Sequence, residues 1–199
     1  MGANMKKCAI LLFVFLFAAV SYAAADTPMQ TVEKRVDEVL DVLKGGSKDD
    51  PSILEKKKDQ IRAISNRFFD YIELSRRTLG LSWNKFSVPQ RKEFVSLYED
   101  LLEGVYMDRI LAYKDEKVEF SKQIMFSDTQ AEVQTKVLAK TGPIPIVYRL
   151  LLKNGQWKVY DVIIEGVSLV NNYRSQFNSI LKKETPEDLL KTLREKVKA

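Results

Sequence analysis

Residues 144–164 read Ile144-Pro145-Ile146-Val147-Tyr148-Arg149-Leu150-Leu151-Leu152-Lys153-Asn154-Gly155-Gln156-Trp157-Lys158-Val159-Tyr160-Asp161-Val162-Ile163-Ile164. Asn-Gly between two apolar runs is the strongest short-range hairpin signal, because both residues tolerate the positive φ of a tight turn. The stretch therefore predicts strands over Ile144–Lys153 and Gln156–Ile164. Ile146, Tyr148, Leu150 and Leu152 fall on one face, and Val147 and Leu151 on the other. A strand pair apolar on both sides needs cover on both, or lines something.

Upstream, Val118, Phe120, Ile124 and Phe126 alternate mostly with polar neighbours, as do Ala131, Val133, Thr135 and Val137. That period of two predicts two more antiparallel strands with one buried face. Before Tyr113 the period is helical. Val32, Val36, Val39, Leu40 and Leu43 mark a first helix, ended by Gly45-Gly46 and a turn over 47–51. Leu54, Ile61, Ile64 and Phe68 mark a second, with Lys56-Lys57-Lys58 on its wet side, and 69–79 a short third stopped by Gly80. Ser87 with Gln90 is a capping box that opens the longest helix. Its Phe94, Leu97, Tyr98, Leu101, Leu102, Val105, Tyr106 and Ile110 spread wider than one packing stripe. Ser168 caps a helix carrying Leu169, Tyr173 and Phe177, and Thr185-Pro186 starts a last one. The order predicts an α+β fold in one domain: a curved four-stranded antiparallel sheet with helices packed around it.

The 199 residues carry 32 basic and 27 acidic side chains, no histidine and one cysteine. No histidine means no Ser-His-Asp or Cys-His catalysis and no His-ligated zinc; one cysteine means no internal disulfide. Composition leans toward binding over catalysis. Lys6-Lys7, the apolar run from Cys8 and the small residues at 21–25 form the parts of a cleavable secretory signal peptide over 1–25, leaving one domain over 26–199. Cys8 stands at the very start of the apolar run, directly after Lys7, in the wrong place for acylation. The mature chain then has a net charge of +3 with mixed signs, which does not point to nucleic acid.

Glu99 and Glu103, with Asp100 and Asp108 nearby, could ligate a divalent cation, but a solvated helix face is the plainer reading, and no metal is expected. Asp161 beside Tyr160 in an apolar strand could act as a general base; the alternative is a buried carboxylate held by hydrogen bonds, from Arg149 or from backbone.

Three blocks carry a family likeness: Phe69-Asp70 with Leu74-Ser75-Arg76, Leu79-Gly80 and Trp83; Gln90-Arg91 with Phe94 and Tyr106; and Pro143 to Arg149, Gly155 to Val162 and Glu165 to Phe177. In these the chain resembles the MlaC family, also called the toluene-tolerance family of auxiliary transport proteins. One departure is Ser87-Val88-Pro89-Gln90, where the family usually has Ser-Pro-Glu-Gln. The resemblance implies a fold like the cone of nuclear transport factor two. It also implies a periplasmic carrier, not an enzyme and without cofactor, that shuttles phospholipid between an outer-membrane lipoprotein complex and an inner-membrane ABC transporter with an MCE-domain subunit. Outer-membrane lipid asymmetry and solvent tolerance would follow.

On that resemblance, the apolar surplus becomes a pocket wall. The expected lipid-binding positions are Leu74, Leu79, Tyr98, Leu101, Val105 and Tyr106 from the helices, with Val147, Tyr148, Leu150, Val162, Ile164, Val167, Leu169 and Tyr173 from the sheet and its exit. Arg149, Lys158 and Arg174 are headgroup candidates. The rivals are a small-molecule isomerase or dehydratase using Asp161 and Tyr160, and a lipid-free periplasmic adaptor.

Overall fold

The computed structural model describes residues 26–45, 50–113 and 116–198. The leader expected over 1–25, Cys8 and most of the turn after Gly45 lie outside them. The elements run α1 (Pro28–Lys44), α2 (Pro51–Phe68), α3 (Tyr71–Leu79), a 3-10 turn (Gly80–Lys85), α4 (Val88–Leu111), β1 (Lys117–Ser127), β2 (Gln130–Ala139), β3 (Gly142–Lys153), β4 (Gln156–Ile164), β5 (Val167–Ser168), α5 (Leu169–Leu181) and α6 (Pro186–Lys198).

Local chemistry sets most of these boundaries. Ser87 Oγ accepts from the Gln90 N–H, and Gln90 Oε1 accepts from the Ser87 N–H, so the displaced proline leaves the capping box of α4 intact. Thr27 and Gln30 cap α1 in the same way. Asn154 and Gly155 have φ of 52° and 75°, the left-handed pair of a tight hairpin.

All strands are antiparallel and ordered β1-β2-β3-β4-β5. The sequence predicts four of them. The two-residue fifth arises because Glu165 and Gly166 form a second tight turn, with φ of 50° and 83°. Glutamate seldom occupies that region, so nothing in the sequence marks the turn. Register breaks near Phe120, Met125 and Arg149 bend the sheet.

Register also fixes the faces. Thr135, Ile146 and Ile164 lie side by side, as do Val133, Tyr148 and Val162. Val147 pairs with Gln134 and Ile163 on the opposite side. α1 packs on β1 and β2, α2 on α1 and β4, and α3 and α5 on β4, while α4 packs chiefly against α6. The outer edge of β4 is closed by β5 at one end. At the other, Phe69 bridges Val159, and the Asp70 N–H donates to the Val159 carbonyl at 2.8 Å.

The main core centres on rings: Tyr98, Phe94, Tyr173 and Phe177 meet with centroids 5.2 to 5.6 Å apart. Leu189, Leu190 and Leu193 close it from α6. Leu190 is fully buried, so Leu190→Ala should cost about 3 kcal/mol in urea unfolding at unchanged secondary structure.

Lys57 departs from the wet face predicted for it. It is 4% exposed and donates to the Leu43 carbonyl at 3.0 Å, in the last turn of α1. Carbonyls left free at a helix C-terminus favour a cation there. Its neighbour Lys58 pairs with Glu55 on the surface.

In α3, Arg76 and Arg77 both bond Glu73 at 2.7 Å. The Arg76 bond, foremost, and then Arg77 hold this carboxyl below its ordinary value of 4.5. A depressed folded value gives stability that is complete above the ordinary pKa and lost as pH falls through the folded one. Glu73→Gln should therefore lose less stability than the parent between about pH 5 and about pH 3, measured by urea titration.

Candidate functional site

Burial changes along the helix-facing side of the sheet. Near the turns at 128–129 and 154–155, Ala131, Val133, Leu150 and Val159 are all fully buried. Toward the opposite end, Val118, Phe120, Val137, Ile144, Ile146 and Ile164 are only half-buried. The register places these six on the same side as the sealed residues.

The C-terminal halves of α1 and α4 show the same incompleteness. Leu101, Tyr106, Ile110 and Leu111 of α4 and Val36, Val39 and Leu40 of α1 are half-buried, and Val105 is exposed. The interior here is two clusters. The main core is separate from a smaller one in which Leu43, Ile61 and Met107 join α1, α2 and α4. Closed interiors pack to crystal-like density and seal their large apolar side chains. An apolar surface left half-sealed between helix and sheet suits a flexible apolar ligand, because dry contact there needs no fixed polar geometry.

The phenols along this surface add no charge. Burial pushes the Tyr148 hydroxyl up to about 12, against a smaller opposing hydrogen bond from Thr135. Burial also raises Tyr106 on this surface, and Tyr98 and Tyr173 in the core behind it.

The structure distributes the sequence-predicted residues unevenly. Leu101, Val105, Tyr106, Tyr148, Ile164 and Val167 border the half-sealed region or are exposed beside it. Leu74, Leu79, Tyr98, Leu150, Val162, Leu169 and Tyr173 lie in the sealed core, none more than 8% exposed. Val147 is on the other face of the sheet. The α1 residues and Phe120 and Ile146 complete the surface and are not singled out by the sequence. Their periodicity marks only an amphipathic helix or strand, not which partner it meets.

The three headgroup candidates do not converge. Arg149 lies between Glu132 at 3.5 Å and Asp161 at 3.6 Å. Lys158 donates to the Arg67 carbonyl beside the end of α2. Arg174 donates through Nε and Nη2 to the Arg77 carbonyl, at 3.1 and 2.6 Å.

Asp161 is 3% exposed and accepts from the Ser168 hydroxyl at 2.7 Å and the Val170 N–H at 3.1 Å. It thus ties β4 to the start of α5, as the hydrogen-bonded reading expects. Tyr160 packs under the Arg77 guanidinium, 3.9 Å from the ring centre. Both side chains are engaged in holding elements together. Glu103 binds Arg62 Nε at 2.8 Å, and among the described residues no acidic group of three or more could hold a metal ion.

A sequence model of one family, described as MlaC protein, matches residues 33–195. The chain is 24% identical to the intermembrane phospholipid transport system binding protein MlaC of Haemophilus influenzae, over 93% of this chain and 90% of that protein. It is 25% identical to the toluene tolerance protein ttg2D of Pseudomonas putida, over 85% of this chain and 80% of that one. Its fold matches a phospholipid-binding protein from Ralstonia solanacearum, solved with a phospholipid bound, with a TM-score of 0.78 and 24% identity over 86% of this chain and 97% of the other.

Proposed function

The chain belongs to the MlaC family, and on that premise we propose that it is a periplasmic carrier that holds phospholipid acyl chains between α1, α4 and the open end of the sheet. The observation that supports this most is the burial change along one face, from sealed Val133 and Leu150 to half-sealed Phe120, Ile146 and Ile164. The relatives' roles in phospholipid transport and toluene tolerance, and the phospholipid held by the structural neighbour, favour the same ligand.

Each methylene removed from water contributes about 0.8 kcal/mol, so a chain of about 16 carbons gains on the order of 12 kcal/mol. A bilayer interior offers the same chain a similar gain, so exchange between membrane and protein is close to balanced. Tails slide along the apolar wall, and the headgroup stays near solvent by the exposed Val105 and Val167. Direction then comes from the partners: an outer-membrane lipoprotein complex, and an inner-membrane ABC transporter with an MCE-domain subunit that consumes the ATP. The carrier itself performs no covalent step, and its export to the periplasm rests on the leader over 1–25.

The test is exchange of a fluorescent phospholipid between two vesicle populations separated by a membrane that passes only protein. The carrier reading expects ATP-independent transfer in proportion to protein concentration. Transfer no faster than the protein-free control, from a chain with native secondary structure, contradicts it.

A further inference from the structure

A second surface, away from the half-sealed face, has its own chemistry. The 3-10 turn Gly80–Lys85 and the C-terminal part of α5 border a recess of about 550 Å³, lined by Ser82, Lys85, Ser175, Asn178, Ser179, Leu181 and Lys182. Among the described residues, no acidic side chain lines it. Among the described residues neither Lys85 nor Lys182 has an ion-pair partner. Ser175 and Ser179 donate their hydroxyls to helix carbonyls at 3.0 and 2.8 Å, leaving Ser82, Asn178 and the two ammonium groups as donors toward the opening.

Beside this recess Leu81 is 91% exposed. A single exposed leucine is ordinary, but this one is held out by a fixed turn. Gly80 starts the turn at φ 55°, a conformation that disfavours a side chain. Arg174 secures the end of α3 just before it, through the Arg77 carbonyl. Arg91 Nε donates to the Trp83 carbonyl at 3.0 Å, with the guanidinium 5.3 Å from the indole centre, and Phe86 is sealed behind. The turn thus presents an apolar tip beside two unpaired cations and polar donors.

We propose that this surface docks the protein on an anionic bilayer, with Leu81 entering the interface and Lys85 and Lys182 meeting lipid phosphates. Phosphate is the complement of two free ammonium groups with hydroxyl and amide donors, and a lipid surface also accepts an apolar tip beside them. The inference rests on the carrier reading for its purpose, since a carrier gains from brief contact with the membrane it serves. α5 rises about 1.5 Å per residue, so the recess lies roughly 10 to 20 Å from Ser168, and docking is separable from loading.

The test is flotation of the mature chain with phosphatidylglycerol-rich vesicles and with phosphatidylcholine vesicles, at low and high salt. Binding should prefer the anionic vesicles and weaken with salt. Each lysine contributes about a fivefold change in partition at such a surface, so Lys85→Gln with Lys182→Gln should weaken binding about 25-fold. Leu81→Ser should weaken it about tenfold. Loading with detergent-dispersed phospholipid should be unchanged in both variants. Equal binding to both vesicle types, or variants that bind like the parent, would overturn the proposal. So would variants that keep vesicle binding but lose binding to the purified transporter subunit, which would assign the surface to an acidic protein partner. Loss of loading in the unsubstituted chain with vesicle docking retained would defeat the carrier reading and leave this one standing.

Discussion

Replacing Ile146 by arginine is expected to empty the protein of phospholipid, lowering retention by about two orders of magnitude. Ile146 is half-buried between Thr135 and Ile164 on the helix-facing side of the sheet. A guanidinium there meets acyl chain instead of water, and an unpaired charge against hydrocarbon costs about 3 kcal/mol or more even after it bends toward solvent. The matched control is one residue away. Val147→Arg projects from the other face, beside Gln134 and Ile163, and should leave retention within about twofold of the parent. The pair of variants compares the two faces of one strand at nearly constant composition. Lipid quantified by extraction and mass spectrometry checks it, and equal loading of the two variants would remove the helix-facing side from the site.

The second large effect is on stability. Asp161→Ala leaves the Ser168 hydroxyl and the Val170 N–H without their acceptor and leaves Arg149 with Glu132 alone. Buried donors without partners cost about 1 to 3 kcal/mol each, so a total of about 4 kcal/mol is expected, read as a shift in the urea midpoint at unchanged slope. Asp161→Asn keeps an acceptor for one donor and should cost about half as much. A catalytic Asp161 would behave oppositely, with turnover lost and the midpoint unmoved.

Much of the fold is written in short-range chemistry. Ser87 with Gln90 and Asn154 with Gly155 each specify their local geometry through groups at most three residues apart, and the structure follows them. The fifth strand was not legible, because its turn places Glu165 where glutamate is uncommon. Nor was the inward turn of Lys57, which depends on where the last carbonyls of α1 lie in space.

The site was legible as an excess and not as a location. A long helix apolar beyond one stripe and strands apolar on both faces announce more hydrophobic surface than a core requires. Which of those residues stay half-sealed is decided by packing. α6 and the aromatic group around Phe94 and Tyr98 seal the main core, and α1 packs on β1 and β2. That is why Leu74, Tyr98 and Leu150 carry the same sequence signal as Tyr106 and Ile164 yet lie deep in the core. Val147 lies on the other face for a simpler reason: an apolar pattern on both sides of a strand does not say which side faces the helices.

The central claim is that the open end of the sheet holds phospholipid tails. Native mass spectrometry of the mature protein purified from a bacterial periplasm, followed by lipid extraction, tests it most directly. The account predicts a co-purifying glycerophospholipid that leaves on denaturation and is absent from the Ile146→Arg variant. A mass equal to the bare chain, unchanged after incubation with detergent-dispersed phospholipid, would contradict it.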